Sequence, residues 1–365
     1  MNTIQRIKND IIDIIFQYWF IFIPIFAILS ISIGAQFIVN GAAFNDIFTK
    51  HLVKIAFAVV LLFAIIFSDK KMWLSYAYLI YVFTLILLVA VAAFGTTRLG
   101  AQRWVNLYFI FLQPSEIMKF ALILGLSRYY STFADDELIH LKNHFIPIIM
   151  IGIPMLLILK QPDLGTAMLL AFIGCFILFS AGIKIKYVNY SILTCLAAIP
   201  FIWSHLKTYQ QNRVLTFLNP DRDPLGTGYH ILQSKIAIGS GGVFGKGLSR
   251  GTQVSLNFLP EKNTDFIFTA ITEENGFVGA ITIILFFAFL VIGLIILAKN
   301  SKTLFGRYIC IGAAALIFFH TFINISMVIG IVPVVGIPIP FISYGGSSLI
   351  TCITIIGVAI CAQKR

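Results

Sequence analysis

The sequence predicts an all-α fold: a polytopic membrane protein of about ten transmembrane helices, with both termini in the cytoplasm and one large extracytoplasmic loop between helices 7 and 8. Three observations carry that reading. Of 365 residues, 59% are hydrophobic and 11% charged, with a mean hydropathy of +0.94. A soluble domain needs more charge than this to stay dissolved, so the solvent is lipid. The apolar residues are gathered in runs that approach the ~20 residues a spanning helix needs. The cations fall mostly at one end of those runs.

Runs such as Tyr18 to Val39, Trp73 to Phe94 and Ile281 to Leu297 lack the polar alternation of a β-barrel strand. Backbone groups in hydrocarbon must be satisfied within the segment, so such runs are helices. The expected spans are roughly 18–39, 52–67, 73–94, 105–127, 144–159, 164–182, 186–203, 266–298, 308–332 and 343–361. The first stretch is too long for the core of a cleaved signal peptide and reads as an uncleaved helix. With neither internal repeats nor heptads, the chain reads as one domain, 1–365.

The net charge of +11 raises the question of nucleic acid, and the placement of the cations answers it. With the N-terminus inside, the cytoplasmic segments hold 13 cations: Arg6, Lys8, Lys70, Lys71, Arg128, Lys142, Lys184, Lys186, Lys299, Lys302, Arg307, Lys364 and Arg365. The short outer loops hold 4: Lys50, Arg98, Arg103 and Lys160. This is the positive-inside bias of a membrane protein, and no nucleic-acid partner is expected. The five cysteines and six histidines are scattered without metal-ligand spacing, and metal ligands are left unassigned.

One long polar interruption runs from about His205 to Asp265 and lies outside. Loops of this length are uncommon unless functional. It contains PDRDPLGTG, a moderately apolar stretch from Tyr229 to Ile238 that suits a re-entrant or interfacial helix, and a glycine-rich GSGGVFGKG. A P-loop needs a glycine where Ser240 stands and Ser or Thr where Gly247 stands, so the glycines read as a tight turn at the membrane.

Ionisable residues within spans are costly and mark sites. Glu116 and Lys119 lie three apart on one face of the fourth span, with Arg103, Gln113 and Ser115 nearby. They are either an ion pair that fixes helix packing or the polar wall of a substrate groove. Asp163, in QPDLGT, either caps the helix starting at Leu164 or is an electrostatic partner for a cation or for outer-face loop residues. In LPEKNTDFIFTAITEENG, Asn263 or Thr264 is placed to cap a helix whose first turn carries Asp265 at the outer surface. Helical spacing aligns Asp265 with Thr269, Thr272, Glu273 and Gly276, a polar stripe that demands a protein-lined or wet cavity. A carboxylate at a cavity mouth either caps or takes a proton from a hydroxyl. Arg213, Arg222, Lys235, Lys246, Arg250 and Lys262 of the outer loop suit a phosphorylated ligand, or are solvated loop charges.

The segments RWVNLYFIFLQPSEIMK, KQPDLGTAM, NPDRDPLGTGYHILQS, IGSGG, FLPEKNTDFIF and PIPFISYGGSS, in this order, resemble the SEDS family of peptidoglycan glycosyltransferases. GAQRW, LGTGYHILQS and the short termini are most similar to its elongation members. The resemblance implies a ten-helix enzyme of the bacterial cytoplasmic (inner) membrane. Such an enzyme polymerises lipid II into β-1,4-linked glycan strands at the outer face by an inverting single displacement. It places the essential aspartate of the family on Asp265, as general base or organiser of the base. It matches Glu116 and Lys119 to a charged pair, Asp163 to a second aspartate, and Arg103 and Gln233 to further family positions. It implies a separate class B penicillin-binding protein as crosslinking partner, together with elongation-complex membrane proteins. A diphosphate leaving group needs positive charge, from Arg213, Lys262 and their neighbours or from a divalent cation such as Mg2+ or Mn2+. Two rival classes stay open at this point. A lipid II flippase or other transporter would use the intramembrane charges, but the inverted repeats common in transporters are absent. A scaffold that only recruits the crosslinker would not need Asp265.

Overall fold

The computed structural model describes residues 3–94, 96–98, 101–106, 111–134, 137–223, 226–256, 258–259 and 261–364. Helix dominates, as the unbroken apolar runs require. An amphipathic helix α1 (Thr3–Gln17) leads into α2 (Trp19–Val39), α3 (Asp46–Ile66) and α4 (Lys70–Phe94). Three short strands follow: β1 (Thr96–Arg98), β2 (Ala101–Asn106) and β3 (Phe111–Leu112). Then come α5 (Pro114–Tyr130), α6 (Phe145–Lys160), α7 (Leu164–Ser180) and α8 (Ile185–His205). The long loop carries α9 (Thr208–Leu218), α10 (Thr227–Gly241) and the single turn α11 (Thr252–Ser255). The chain closes with α12 (Ile267–Lys299), α13 (Leu304–Val328) and α14 (Gly346–Cys361).

Among the described residues, six helical segments are long and apolar enough to cross a membrane: 19–39, 46–66, 70–91, 141–160, 267–299 and 304–328. The shorter apolar α7 and α14 join them, and α5 and α8 occupy the remaining two expected places. The chain is a multi-pass membrane protein. At its centre α13 packs on α5, α7, α12 and α14, and its buried face includes Gly312, Ala313, Ala314 and Ala315. Small residues let backbones approach closely where lipid offers no hydrophobic drive to association.

Two boundaries differ from the sequence reading, both for backbone reasons. The fourth span begins at Pro114 rather than near residue 105. Proline lacks an N–H, which is no loss at the first helical position. The apolar stretch before it pairs instead as antiparallel ribbon, with Thr96 opposite Trp104 and Val105 opposite Leu112. The eighth span begins at Ile267, and its N-cap Phe266 has no side-chain hydrogen bond, so Asp265 precedes the helix instead of riding in its first turn.

The eighth span is also broken. Gly276 sits at φ 65°, ψ −161°, inside α12. A break at membrane depth leaves backbone groups that hydrocarbon cannot satisfy. The glycine-rich turn after α10 satisfies them. Lys246 N donates to Glu273 O (3.1 Å) and Gly247 N to Glu274 O (3.0 Å). In return Phe277 N donates to Gly242 O (2.9 Å) and Val278 N to Val243 O (3.1 Å). This exchange needs two bare backbones: a Cβ on Gly276 would lie 2.3 Å from Gly245 N, and one on Gly245 2.0 Å from Glu274 O. Replacing Gly276 by Val should therefore cost about 1–3 kcal/mol in backbone strain, plus the clash. The expected outcome is a lowered unfolding midpoint in detergent, or loss of the monodisperse fraction on size exclusion; an unchanged midpoint would contradict the packing described.

Candidate active site at the N-terminal end of the broken helix

Asp265 is presented by a tight turn rather than by a helix. Thr264 N (3.0 Å) and Phe266 N (3.3 Å) both donate to Glu261 O, and Glu261 takes a positive φ of 50° to allow it. Three consecutive carbonyls of this turn are then bound from elsewhere. Asn263 O accepts from Gln36 Nε2 of α2 (2.9 Å) and from Tyr344 N (2.8 Å). Thr264 O accepts from Ser343 Oγ (2.6 Å). Asp265 O accepts from Asn324 Nδ2 of α13 (2.9 Å), which also holds Ile337 O (2.7 Å). Gln36 and Asn324 are both fully buried, so these bonds are protected from water and expensive to lose. Sequence reasoning missed Gln36, Asn324 and Ser343; the signal for the first two was an amide within an apolar span.

The Asp265 carboxyl is half-buried, and its Oδ2 lies 3.3 Å from where a Cβ on Gly336 would stand. Only a glycine at that point lets the loop between α13 and α14 approach the carboxyl so closely, and Gly336 adopts φ 71° to do it. Desolvation pushes the Asp265 pKa up to about 6, helped by the charges of Glu261 and Asp163 and opposed by Arg213 of α9. Two residues named from the sequence, Arg213 and Asp163, thus share an electrostatic field with Asp265.

Asp163 caps its helix, one of the two readings expected, and its second oxygen meets a neutral amide. Its Oδ1 caps α7 by accepting from Thr166 N (3.2 Å), and its Oδ2 accepts from Gln113 Nε2 (3.4 Å). The first turn of α7 bears on the same loop, since a Cβ on Gly165 would lie 2.8 Å from Val335 O.

Glu116 and Lys119 do not form a groove wall. Lys119 Nζ lies 2.6 Å from Glu116 Oε1, with side-chain exposures of 1% and 7%, and 2.7 Å from His320 Nε2 on α13. An ammonium donates to both, so Nε2 of His320 is the unprotonated nitrogen and Nδ1 donates to Pro338 O (3.3 Å). The pair is trapped between α5 and α13 and reaches Asp265 only through the loop that carries Pro338 and Gly336. It positions.

The polar stripe of α12 is likewise covered. Thr269 Oγ1 meets Ser234 Oγ of α10 (2.7 Å), and Thr272 Oγ1 donates to Phe268 O (2.8 Å). Glu273, fully buried, accepts from Lys246 Nζ (2.7 Å), Thr252 Oγ1 (3.2 Å) and Gln253 N (3.1 Å). The re-entrant α10 and the glycine-rich turn therefore take the place of the expected wet cavity, and Lys246 serves Glu273 rather than a ligand. Arg222, Lys235 and Arg250 are exposed. Lys262 is half-buried beside Asn263, and desolvation lowers its pKa. Gln233 is half-buried on α10, one residue before Ser234. Arg103 stands on β2, and its side chain lies outside the described ones. Among the described residues, no group of three or more His, Cys, Asp or Glu gathers to hold a metal ion.

Breaking the buried pair from one side should cost about 3–5 kcal/mol, because the partner charge is left uncompensated. Glu116→Leu and Lys119→Met should each lower the detergent unfolding midpoint, and the double variant should recover most of the loss. Additive losses in the double variant would show the two side chains to be uncoupled.

Comparison with known proteins agrees with this architecture. The FtsW/RodA/SpoVE family model, described as a cell cycle protein, matches residues 11–365. The peptidoglycan glycosyltransferase MrdB of Escherichia coli (strain K12) is 40% identical over 334 residues, covering 91% of this chain and 90% of the relative. The probable peptidoglycan glycosyltransferase FtsW of Trichlorobacter lovleyi is 38% identical over 293 residues, covering 80% and 76%. A chain of a peptidoglycan synthase complex, described as coordinating polymerization and crosslinking, superposes with a TM-score of 0.80 at 29% identity, covering 94% of this chain and 97% of that one. The rod shape determining protein RodA of Thermus thermophilus shares the fold, with a TM-score of 0.70, 24% identity and coverage of 94% and 96%. With its motifs, its helical order and a match over nearly its whole length, the chain belongs to the FtsW/RodA/SpoVE family, the SEDS family of membrane proteins.

Proposed function

We propose that the chain is a peptidoglycan glycosyltransferase that polymerises lipid II at the extracytoplasmic face of the bacterial cytoplasmic membrane, with Asp265 as general base. The observation that carries this is the fixed, half-buried carboxyl of Asp265 at the mouth of a broken membrane helix, with a pKa near 6. A base with that pKa is ionised at neutral pH and still close enough to the working range to accept a proton well. The positive-inside bias supports an extracytoplasmic position for this end of α12.

In the step, the 4-hydroxyl of the acceptor N-acetylglucosamine attacks the anomeric carbon of the donor N-acetylmuramic acid. The new C–O bond forms as the bond to the diphosphate oxygen breaks, and the electron pair leaves on the polyprenyl diphosphate. The hydroxyl proton passes to Asp265. Attack opposite the leaving group turns an α-linked donor into a β-1,4 bond. Arg213, which shares the field of Asp265, is the cation suited to the charge growing on the diphosphate, since its guanidinium fork matches phosphate geometry. Asp163 and Glu261 serve Asp265 by raising its basicity. Glu116, Lys119 and His320 hold the loop that abuts it. A divalent ion such as Mg2+ would supply further positive charge to the departing diphosphate; among the described residues no group of three or more His, Cys, Asp or Glu gathers to hold one.

The similarity to a complex that couples polymerization with crosslinking supports a class B penicillin-binding protein as partner. The longer match to MrdB than to FtsW supports a place in cell elongation. The flippase reading loses its main support, since the intramembrane charges Glu116, Lys119 and Glu273 are consumed in protein contacts.

Purified chain with its partner, supplied with lipid II in detergent, should make glycan polymer. Asp265→Ala and Asp265→Asn should each lose about 10²–10⁴-fold of that rate. Equal polymer from the variants would remove Asp265 from the chemistry, and lipid translocation in vesicles without polymer would favour transport. The rate should fall as pH drops through about 6. Because Arg213 lowers the Asp265 pKa, Arg213→Gln should move that acidic limb to higher pH as well as slow the reaction; a limb that stays in place would uncouple the two residues.

A further inference from the structure

The proposed reaction needs two lipid-tailed substrates at Asp265 together, and the structure offers a seat for one of them beside the turn, in a cavity lined by Lys262 and Asn263. Two cavities of about 400 and 580 Å³ share Ile38, Val39 and Glu274 and so form one furrow between α2 and α12. Both volumes fall in the range of small-ligand sites, roughly 300–1,000 Å³. The furrow exists because α2 offers Gly34 and Ala35, and α12 offers Gly279, where the two helices would otherwise interlock. A Cβ on Gly34 would meet nothing within 4 Å.

The furrow changes character along its length. Its deeper part, at the depth of the outer leaflet, is walled by Ile31, Ile271, Val278 and Ile283 and overhung by the exposed Phe244 and Leu248 of the glycine-rich turn. Its outer part is lined by Asn40, Asn45, Ser249, Lys262 and Asn263. Glu274 lines both parts and so stands at their junction. An apolar trench that ends at an ammonium and amides matches an amphiphile with a hydrocarbon tail and an anionic head.

Position separates the two substrates. The donor's diphosphate is bonded to the carbon under attack, so it must lie beside Asp265, on the side of Arg213 and Gly336. The acceptor's diphosphate lies two sugar rings from its reacting hydroxyl. Lys262 lines the furrow, whereas Asp265 is not among its lining residues and the Asp265 carboxyl faces Gly336. We infer that the α2–α12 furrow holds the polyprenyl-diphosphate end of the acceptor, its tail in the apolar trench and its diphosphate on Lys262. This rests on the glycosyltransferase reading.

The test uses the purified chain with its crosslinking partner and two half-substrates. One is lipid II with the N-acetylglucosamine 4-hydroxyl replaced by hydrogen, which acts only as donor. The other is lipid II with a methylene in place of the anomeric oxygen, which acts only as acceptor. Gly34→Phe, which fills the trench from its lipid-open side, and Lys262→Gln should each raise the apparent KM for the acceptor about tenfold or more. The donor's apparent KM should stay within about twofold, and Lys262→Arg should restore most of the acceptor's. Should the donor's KM rise instead, the furrow is the donor's seat and the assignment is overturned. If neither moves in folded protein, the furrow holds only bulk phospholipid and the inference is likewise overturned. Wild-type protein that condenses the half-substrates at no rate would sink the glycosyltransferase reading itself, a result distinct from either.

Discussion

Three adjacent carbonyls, those of Asn263, Thr264 and Asp265, accept hydrogen bonds from α2, from the loop before α14 and from α13. Each donor is a side chain or backbone N–H held in low dielectric, where an unmade hydrogen bond costs far more than in water. The turn is therefore fixed from three directions at once, and the carboxyl it carries has little freedom to swing toward solvent. As the proposed general base, Asp265 must sit within hydrogen-bond reach of one proton, and this lattice of carbonyl contacts holds its backbone in place without a helix beneath it.

The loop between α13 and α14 transmits most of the remaining order. Its Pro338 carbonyl receives His320, its Gly336 faces Asp265, its Val335 carbonyl packs on Gly165 at the start of α7, and its Ser343 and Tyr344 bind the turn that carries Asp265. The buried Lys119 ammonium, shared by Glu116 and His320, anchors one end of that chain of contacts. Charge buried so deeply is weak stabilisation and strong specification: few arrangements satisfy it, so the loop has few alternatives.

The broken helix solves a related problem. Substrates with polar heads and lipid tails need protein chemistry at the membrane boundary, yet a continuous apolar helix presents none. Gly276 and the glycine-rich turn open α12 while leaving its backbone hydrogen-bonded, and Glu273 with Lys246 locks the turn in place. The same glycines shape the furrow beside α2, because Phe244 and Leu248 reach over it from that turn.

Much of this was legible in the linear chain. Apolar run length and cation asymmetry fix a ten-helix topology, because lipid forbids unsatisfied backbone and the bias of Lys and Arg orients the helices. Asp163 announced its cap, and Glu116 with Lys119 announced a pair by their three-residue spacing. Asp265 announced itself as a carboxylate at the start of an apolar run. Other features needed the third dimension. Periodicity aligned Asp265 with Thr272 and Glu273, but only packing shows the stripe covered by α10 and Lys246, since a helical wheel cannot say which neighbour faces it. No local pattern could reveal that Gln36 and Asn324, 288 positions apart, bind one turn, that Gly336 gives way to a carboxyl, or that Lys262 lines a furrow between α2 and α12. Local preference and solvent set the elements; which of them meet, and so which charge sits beside which, is decided by contacts between residues that the chain keeps far apart.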